Sequence, residues 1–470
     1  MSYVKAVLSD LDADIAVTDP DIVARYLVDF RNKYMGKSDA VLRPRTTAEV
    51  AKIVKLCATH GVSLVPQGGN TSYCGGATPD ENGGQLVLSL ERMNTVREID
   101  TGNLSMTVDA GCILSELQNA ALDQGCYLPL SLGSQQSCQI GGNISTNAGG
   151  VSALRYGMAG DLVMGLEVVL PDGQILSDLY PLRKDNSGYA LRNLFAGAEG
   201  TLGIITGASL RLMYKPAQVV TGFLAIRAAE DLMPLLANAQ IYTGEAITSF
   251  EYISDASLQR LLTAMPHLRH PLEDSAERYV LMEAATCSPV LDLNAACEKL
   301  LEDMFENGMI TDGAIAVNEQ QRMDFWNLRE HIPEGEVLNG GSVKHDVSVR
   351  TSRMAEFIDI ASNIVNQFGR GVRLSVYGHI GDGNVHFNVL PPDGKDPQSF
   401  KERIANEISP NIYDLVVKME GSFSAEYGLG KDKLDLSEKY GDPVHRQYMT
   451  VIKNAIDPEN LMNPGKVVGD

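Results

Sequence analysis

The sequence predicts an α+β protein built from at least two domains. Its 470 residues are enough for two or three separately packed cores. Up to about Pro216, glycine-rich loops alternate with short runs typical of strands, such as QLVLSL, VREID and SMTVDAG. After Pro216 glycine becomes sparse and strand–helix–strand units follow, a pattern that favours an antiparallel sheet with helices on one face.

Four segments are expected along the chain. The first is a helical segment over residues 1–35, for which Asp19-Pro20 is a start signal. A first domain then covers residues 36–216 and a second domain covers residues 217–425. The C-terminal segment covers residues 426–470 and ends in NLMNPGKVVGD.

Local signals place the elements of the first domain. The run AVLRPRTTAEVAKIVKLCATHGVSLVPQGG reads as strand, helix, strand, with Thr46 or Thr47 capping the helix and Gly61 ending it. A second helix is expected over residues 114–123, before a glycine-dense stretch. Pro171-Asp172-Gly173 lies between two strand-like runs and predicts a hairpin turn.

The second domain has longer elements. The runs VVTGFLAIR, AITSFEYIS, RYVLMEAAT and GAIAV have the apolar and β-branched composition of strands. Between them, AAEDLMPLLANAQIY and residues 289–307 are expected to be helices. The alternation of the two element types supports the α+β class.

Composition excludes several classes of function. The net charge of −21 disfavours binding to nucleic acid and to anionic membranes. No run of about 18 apolar residues suggests a membrane-spanning helix. The acidic first residues lack the apolar core of a leader peptide, and the seven cysteines form no CxxC pair, so we expect a cytoplasmic protein. Cys74 and Cys138 have no readable basic partner, and packing is their expected role.

Two glycine-rich loops are the first functional signal. PQGGNTSYCGG follows a short strand, and PLSLGSQQSCQIGGNISTNAGG lies further along the chain. Glycines let successive backbone N–H groups turn toward an anion, and the neighbouring Asn, Ser and Thr side chains add hydrogen-bond donors. One such loop is commonly just a turn, but two loops together with AEGTLGI favour a large phosphorylated ligand. The GxxxxGK[ST] and GxGxxG spacings are absent, which disfavours P-loop and nicotinamide-binding proteins.

A histidine pair is the second signal. His379 and His386 flank the turn IGDGNV between two strand-like runs, RLSVYGH and VHFNVL. His386 and Asn388 are two residues apart and share one face of a strand, so the pair is able to approach a common ion across the hairpin. A single histidine is more often a satisfied, half-buried side chain. Two imidazoles and an anionic third ligand would hold a divalent metal.

An arginine is the third signal. Arg329 follows the only tryptophan, Trp326, in FWNLREHIPEG, which reads as a helix that stops near Pro333. A guanidinium suits the bidentate binding of a carboxylate, although an isolated arginine is more often part of a surface ion pair.

These motifs together resemble one family. PQGGNTSYCGG, IGGNISTNAGG and GAEGTLGIIT, in this order, resemble the FAD-binding domain of the vanillyl-alcohol oxidase flavoproteins. From about residue 35 to the closing NPGK, the chain resembles their D-2-hydroxyglutarate and D-lactate dehydrogenase branch. The resemblance implies a PCMH-type FAD-binding domain, a second domain that covers the substrate, and a C-terminal segment that returns to the first.

The resemblance also implies cofactor residues. The pyrophosphate of FAD would lie against the first loop and the flavin against the second, with further contacts from the later segments. The residues implied are Pro66, Gly68, Gly69, Asn70, Thr71, Ser72, Gly133, Ser134, Gly141, Gly142, Asn143, Ser145, Glu199, Gly200, Ile204, Asn463 and Lys466. Some relatives attach FAD through a histidine in the first loop; Asn70 lies in that region here, so we expect non-covalent FAD.

By the same resemblance, His379, His386 and Glu426 bind zinc or a similar divalent metal, with manganese or iron as alternatives. Arg329 and Lys344 would hold the substrate carboxylate and Asn388 would contact the substrate. The substrate would be a D-2-hydroxy acid resembling D-2-hydroxyglutarate, D-lactate or D-malate. The electron acceptor would be an electron-transfer flavoprotein or a quinone, and the chain is expected to form a homodimer.

Two positions depart from the family pattern. Pro333 stands where hydroxyglutarate dehydrogenases have a threonine, and Tyr427 stands where relatives have the histidine that acts as base. Four alternatives follow for Tyr427: a phenol made acidic enough by the metal, a hydrogen-bond donor with water as proton acceptor, a changed substrate, or lost activity.

Three other functions are considered at the level of sequence. One is a flavin enzyme without net oxidation, similar to alkyl-dihydroxyacetone-phosphate synthase, which is disfavoured because the sequence shows neither a phosphate-binding basic cluster nor a histidine-rich stretch near the tail. The second is a flavin-binding homologue of low activity. The third is a flavoprotein oxidase of another alcohol or a sugar acid, for which the metal triad would be unnecessary.

Overall fold

The computed structural model describes residues 3–369, 371–392 and 397–469. They form two compact units, each made of more than one stretch of chain. The first unit consists of Met1–Gly149, Gly157–Lys215 and Glu426–Asp470. The second unit consists of Gly150–Tyr156 and Pro216–Ala425. In the described parts of the chain, no helix is long and apolar enough to cross a membrane.

The first unit contains three sheets. A four-stranded sheet has the order Ala16–Val17, Val41–Leu42, Leu86–Ser89, Leu64–Gln67, and its last three strands are parallel. An antiparallel five-stranded sheet has the order Val96–Asp100, Ser105–Asp109, Ile204–Arg211, Val163–Val169, Ile175–Asp178. Cys126–Tyr127 and Met213–Tyr214 form a small third sheet.

The helices of the first unit are mostly short. They are Tyr3–Ser9, Pro20–Val23, Thr47–His60, Leu114–Asp123, Ile140–Ser145, Ala159–Leu162, Arg192–Phe195, Leu434–Tyr440 and Pro443–Ile456, with a 3₁₀ turn at Ala24–Tyr26. The predicted cap is present, because the Thr46 side chain accepts a hydrogen bond from the Glu49 N–H and Gly61 ends the helix with φ of 61°. The predicted helix over residues 114–123 and the hairpin at Asp172 are present too.

The N-terminal segment is less helical than expected. Among the described residues 3–35, only Tyr3–Ser9, Pro20–Val23 and the 3₁₀ turn Ala24–Tyr26 are helical, and Ala16–Val17 is a strand paired with Val41–Leu42. Tight turns replace the rest of the expected helix: the Asp29 side chain accepts hydrogen bonds from the N–H groups of Arg31 and Tyr34, and Asn32 has φ of 55°. Such side-chain acceptors compete with helical backbone bonds.

The second unit is built on one seven-stranded antiparallel sheet. Its order is Ile310–Ile315, Gln218–Ile226, Arg278–Thr286, Ile247–Ser254, Arg373–Gly378, Asn384–Leu390, Asp346–Ser348. Its helices are Ala153–Tyr156, Leu232–Thr243, Asp255–Ala264, Leu293–Glu306, Glu319–Glu330, Ile332–Leu338, Met354–Gln367, Pro397–Glu407 and Ser409–Lys418, with 3₁₀ turns at Ala229–Asp231 and Thr351–Arg353. The antiparallel sheet and its helices confirm the α+β class.

Helices cover both faces of this sheet, whereas one face was expected. One core packs helices such as Leu293–Glu306 and Met354–Gln367 against one face. The other core packs Asp255–Ala264, Glu319–Glu330 and Ile332–Leu338 against the opposite face. The reason lies in strands that are apolar on both sides: in Gln218–Ile226, Leu224 belongs to the first core and its neighbours to the second.

One helix stops just before Pro333, as predicted, and a second helix begins there. The helix Glu319–Glu330 ends at His331, and Ile332–Leu338 begins as a new helix with the proline in its first turn. A proline is tolerated there because the first-turn N–H groups have no partner within the helix.

Candidate active site

The two glycine loops of the first unit pack backbone against backbone. Gly69 follows the strand Leu64–Gln67, and a Cβ added to it would lie 2.1 Å from the Ser137 carbonyl oxygen of the second loop. The next residue, Asn70, has φ of 53° and its Nδ2 donates to the Val28 carbonyl at 2.8 Å. Glycine at position 69 is therefore required by the neighbouring loop.

Part of the second loop is a short helix, Ile140–Ser145, although a loop was expected. Gly141 packs against Ala110, whose Cβ would lie 2.7 Å from an added Cβ. Gly142 has the opposite surroundings, because no atom of the described residues lies within 4 Å of an added Cβ. The same holds for Gly133. Space therefore opens beside these two glycines.

Three polar side-chain atoms near these loops are buried without a partner among the described residues. They are Oε1 of Gln139, Oδ1 of Asn143 and Oδ1 of Asn463. Buried polar atoms in native proteins are nearly always hydrogen-bonded, so acceptors of this kind suggest a polar ligand that supplies donors. Asn143 and Asn463 were both predicted as cofactor residues.

Glu199 joins the loops to the C-terminal segment. Its buried carboxylate accepts hydrogen bonds from the N–H groups of Leu429 and Gly430 at 2.7 and 2.9 Å. Its own N–H donates to the Ser145 carbonyl, and its carbonyl accepts from Asn463 Nδ2. Burial raises the pKa of this carboxyl, and the two N–H donors oppose that rise. The side chain that was predicted near the adenosine thus engages the protein itself.

The other predicted cofactor residues of the first unit lie in or next to the two loops, in the five-stranded sheet and in the C-terminal segment. Pro66 lies in the strand Leu64–Gln67 before the first loop and contacts Gly200, and Lys466 Nζ donates to the Pro464 carbonyl. Ile204 is buried in the five-stranded sheet, paired with Val169. Gly68, Thr71 and Ser72 belong to the first loop, and Ser134 belongs to the second.

The segment after Ala425 passes along both loops. The Tyr427 ring packs edge-on against Tyr73 of the first loop, with ring centroids 4.8 Å apart. Glu426 Oε1 lies 3.4 Å from the position of a Cβ added to Gly149 of the second loop. Glu426 and Tyr427 therefore lie at the glycine-rich surface of the first unit.

The second unit contains a buried carboxylate that links two predicted site residues. Glu251, in the strand Ile247–Ser254, is 1% exposed. Its Oε2 accepts from Arg329 Nε at 2.7 Å, and its Oε1 lies 2.8 Å from His379 Nδ1. Burial alone would raise the pKa of this carboxyl, but the positive charges of His379 and Arg329 lower it to about 2. Glu251 therefore stays ionised and fixes both partners.

An aromatic side chain closes these contacts into a ring of residues. The Arg329 guanidinium lies over the Tyr377 ring, 4.8 Å from its centroid. Tyr377 lies 5.0 Å from the His386 ring, and the His386 and His379 ring centroids are 5.4 Å apart. We call Glu251, Arg329, Tyr377, His386 and His379 the site ring. It places a carboxylate-binding group beside an imidazole pair.

Each imidazole of the pair faces a carboxylate. His386 lies opposite Asp346 on the neighbouring strand, and its Nδ1 is 3.6 Å from Asp346 Oδ1. His379 Nδ1 is hydrogen-bonded to Glu251 Oε1 at 2.8 Å, whereas the 3.6 Å contact of His386 is too long for a hydrogen bond. Carboxylates in this position orient metal-binding histidines and leave coordination to Nε2. The donor chemistry of the pair fits a divalent metal.

The remaining predicted substrate residues meet at a second buried carboxylate. Glu336, in the helix Ile332–Leu338, accepts from Lys344 Nζ at 2.7 Å and from Asn388 Nδ2 at 2.9 Å. Asn388 Nδ2 also lies 3.4 Å from the Tyr377 hydroxyl, which connects this cluster to the site ring. Asn388 is buried, and its amide nitrogen contacts both Glu336 and Tyr377.

Sequence reasoning missed Glu251, Glu336, Tyr377 and Asp346. Glu251 had a readable signal, since it is the one charged residue in the strand-like run AITSFEYIS. A charge inside a strand that is apolar on both faces needs a buried partner. Glu336 had no comparable signal, because glutamate is common in helices.

The fold and these loops define a flavoprotein, and the comparisons agree. Residues 38–178 match the FAD-binding domain family, and residues 215–467 match the C-terminal domain of FAD-linked oxidases. The chain belongs to the FAD-linked oxidase family and is an oxidoreductase with FAD as cofactor, which confirms the resemblance seen in the sequence. The orphaned acceptors and the open space at Gly142 fit that cofactor.

Several curated relatives extend over nearly the whole chain. The D-2-hydroxyglutarate dehydrogenase of Bos taurus is 36% identical over 456 residues, covering 96% of this chain and 81% of its own. The D-2-hydroxyglutarate–pyruvate transhydrogenase of Saccharomyces cerevisiae is 33% identical over 475 residues, covering 100% and 94%.

Solved structures show the same fold at lower identity. A p-cresol methylhydroxylase is 18% identical with a TM-score of 0.77, covering 100% of this chain and 96% of its own. The 4-ethylphenol oxidase of Gulosibacter chungangensis is 18% identical with a TM-score of 0.72, covering 99% and 96%.

The expectation of a cytoplasmic protein is wrong by this comparison. The relatives from Bos taurus and Danio rerio, which match 96% and 97% of this chain, are named as mitochondrial enzymes. The acidic first residues on which the expectation rested carry no information about compartment. The expected homodimer concerns a second chain and stays a prediction.

Two glycine variants separate loop packing from cofactor binding. Gly69→Ala places a methyl group against the Ser137 carbonyl, so we expect a loss of about 1–3 kcal/mol in stability. Gly142→Ala adds the methyl group to open space, so the melting temperature should hold while FAD affinity falls. Melting curves and FAD titration of the apoprotein measure the two effects. Equal melting of Gly69→Ala and wild type would contradict the packing described here.

Glu251→Gln tests the buried charge of the site ring. The change leaves the Arg329 guanidinium buried without its carboxylate, so the free energy of unfolding should fall by about 3 kcal/mol or more. Trp326, the only tryptophan, lies in the second unit and reports its unfolding in urea by fluorescence. Glu319→Gln is the matched control, since the Glu319 side chain that pairs with Arg322 is 71% exposed and exposed pairs contribute little. Equal midpoints for the two variants would refute the assignment.

Proposed function

We propose that this protein is an FAD-dependent dehydrogenase that oxidises a D-2-hydroxy acid to the 2-oxo acid. The site ring is the observation that carries the proposal, because it sets a fixed guanidinium beside two carboxylate-backed imidazoles. Relatives named as D-2-hydroxyglutarate dehydrogenases match nearly the full chain, which supports the same substrate chemistry. D-2-hydroxyglutarate, D-lactate and D-malate represent the class.

Arg329 is the proposed carboxylate anchor. Its Nε is bound to Glu251 and its plane is held against Tyr377, so the guanidinium has one defined orientation. The planar fork of N–H groups matches the two oxygens of a carboxylate, and a fixed fork loses little freedom when the substrate binds. The anchor would orient Cα of the substrate for reaction.

His379, His386 and Glu426 are the proposed metal ligands. The backbone supports the third ligand: the Ala425 N–H donates to the Asp346 carbonyl at 3.2 Å, on the strand that pairs with His386, and Glu426 is the next residue. A bound divalent cation would supply Lewis acidity toward the substrate hydroxyl. Glu251 and Asp346 hold the two imidazoles in the orientation that coordination requires.

We place the binding site of a dissociable FAD at the two glycine loops, including Asn70. When bound, FAD supplies the acceptor for the hydride from Cα, and the hydroxyl proton would pass to water. Asn143 and Asn463 would accept hydrogen bonds with their orphaned oxygens, and Tyr427 would hydrogen-bond to the substrate hydroxyl next to Glu426. An electron-transfer flavoprotein or a quinone is the proposed final acceptor.

Anaerobic reduction of the bound flavin tests the proposed reaction. We expect D-2-hydroxy acids to bleach the flavin absorbance, while their L enantiomers bleach it at least a hundredfold more slowly. Prior treatment with a chelator should abolish the rapid bleaching, and added Zn²⁺ or Mn²⁺ should restore it. Rapid bleaching that ignores the chelator would remove the metal from the proposal, and no bleaching by any D acid would overturn the reaction itself.

His386→Ala tests the metal ligands without relying on turnover. Loss of one imidazole should reduce the bound metal per chain, measured by elemental analysis, at least tenfold, while bound FAD stays near the wild-type amount. The matched control is His267→Ala, which removes an exposed histidine of the same unit. A metal content unchanged by His386→Ala, relative to His267→Ala, would show that the histidine pair is not the site.

A further inference from the structure

A second carboxylate cluster, centred on Glu336, has no assigned role in the proposed chemistry. Glu336 is 2% exposed. Its Oε2 accepts from Lys344 Nζ and from Ser342 Oγ, both at 2.7 Å, and its Oε1 accepts from Asn388 Nδ2 at 2.9 Å. Both carboxylate oxygens are therefore committed, and one of them is paired directly with the ammonium group of Lys344.

The position of Glu336 is fixed by its helix. The backbone of Ile332–Leu338 packs so tightly on the neighbouring helix Asp255–Ala264 that a Cβ added to Gly335 would lie 3.3 Å from the Leu261 Cα. On the side of the sheet, Glu336 is bound by Asn388, which is 1% exposed. Asn388 belongs to the strand that pairs with the strand of Tyr377. The carboxylate is thus held between two rigid elements and is not a mobile surface group.

The two cations of the region differ in how they are paired. Arg329 Nε donates to Glu251 Oε2, and the guanidinium charge is delocalised over three nitrogens. Lys344 is a point charge that lies 2.7 Å from a buried carboxylate, and its side chain is 22% exposed. A second substrate carboxylate that approached Lys344 would also approach Glu336, and two like charges in a poorly solvated place repel each other.

We propose that Glu336 selects substrates with a single carboxylate, so that this chain prefers D-2-hydroxy acids with a neutral side chain, such as D-lactate, over dicarboxylates such as D-2-hydroxyglutarate. The inference rests on the proposed function and specifies its substrate class. In this arrangement Arg329 binds the carboxylate common to all 2-hydroxy acids. The Glu336–Lys344 pair would face the variable side chain of the substrate. The pair offers hydrogen bonds there but carries no net charge.

Glu336→Gln in the holoenzyme tests the selection. Glutamine keeps the volume and the hydrogen-bonding atoms but leaves the charge of Lys344 uncompensated. We expect the ratio of kcat/KM for D-lactate to that for D-2-hydroxyglutarate to exceed ten in the wild type and to fall at least tenfold in the variant. The change should arise mainly from a lower KM for the dicarboxylate. Glu334→Gln, an exposed glutamate on the same helix, is the matched control and should keep the wild-type ratio.

Equilibrium binding gives a second readout that needs no turnover. Butyrate and glutarate, which lack the reacting hydroxyl, are titrated into the wild-type holoenzyme and followed by perturbation of the flavin spectrum. We expect the wild type to bind butyrate more tightly than glutarate. This comparison tests the preference for a single carboxylate even if the variant fails to fold.

The outcomes separate the two proposals. A wild type that favours D-2-hydroxyglutarate, or a ratio that Glu336→Gln leaves unchanged, overturns the selection by Glu336 while the dehydrogenase function stands. A wild-type flavin that no D-2-hydroxy acid reduces overturns the function, and the selection with it.

Discussion

The buried carboxylate of Glu251 is the interaction on which the candidate site depends. A carboxylate that is 1% exposed is tolerated only with partners that supply charge and hydrogen bonds, and here Arg329 and His379 supply both. Those partners come from a helix and from the end of another strand, so one group ties three elements together. Moving either partner would leave a buried charge without its counter-charge. The guanidinium plane and the imidazole orientation are therefore fixed by the same constraint that stabilises the fold around them.

Glu199 has the equivalent role in the first unit. Its carboxylate binds the backbone of Leu429 and Gly430, and its main chain binds Ser145 and Asn463. A residue distant from the C-terminus in sequence thereby fixes the segment that begins at Glu426. Its φ of 51° is uncommon for a residue with a Cβ, and the four hydrogen bonds compensate for that strain. Glu199 thereby connects Glu426 and Tyr427 to the loops, and its predicted contact with the cofactor stays a prediction.

Sequence reasoning succeeded where the signal was local. The hairpin that carries His379 and His386, the face shared with Asn388, and the glycine loops all follow from spacing over a few residues. It failed where the partner was distant: Arg329 and His379 are 78 and 128 residues from Glu251, and no spacing rule connects them. The same limit explains the N-terminal segment. The turn made by Asp29 and the pairing of Ala16–Val17 with Val41–Leu42 are tertiary choices that override a local helical tendency.

The two carboxylates of the second unit constrain different properties of the site. Glu251 contacts Arg329 and His379 at once, so a substitution there disturbs both the proposed substrate anchor and a proposed metal ligand. Glu336 engages Lys344 and Asn388 and reaches the site ring only through the longer contact of Asn388 with Tyr377. Charge at position 336 is therefore adjustable with little effect on the reacting end of the site. If Glu336 selects the substrate as proposed, a change at this one helix position would alter the preferred substrate side chain of this protein while Arg329 and the imidazole pair stay fixed.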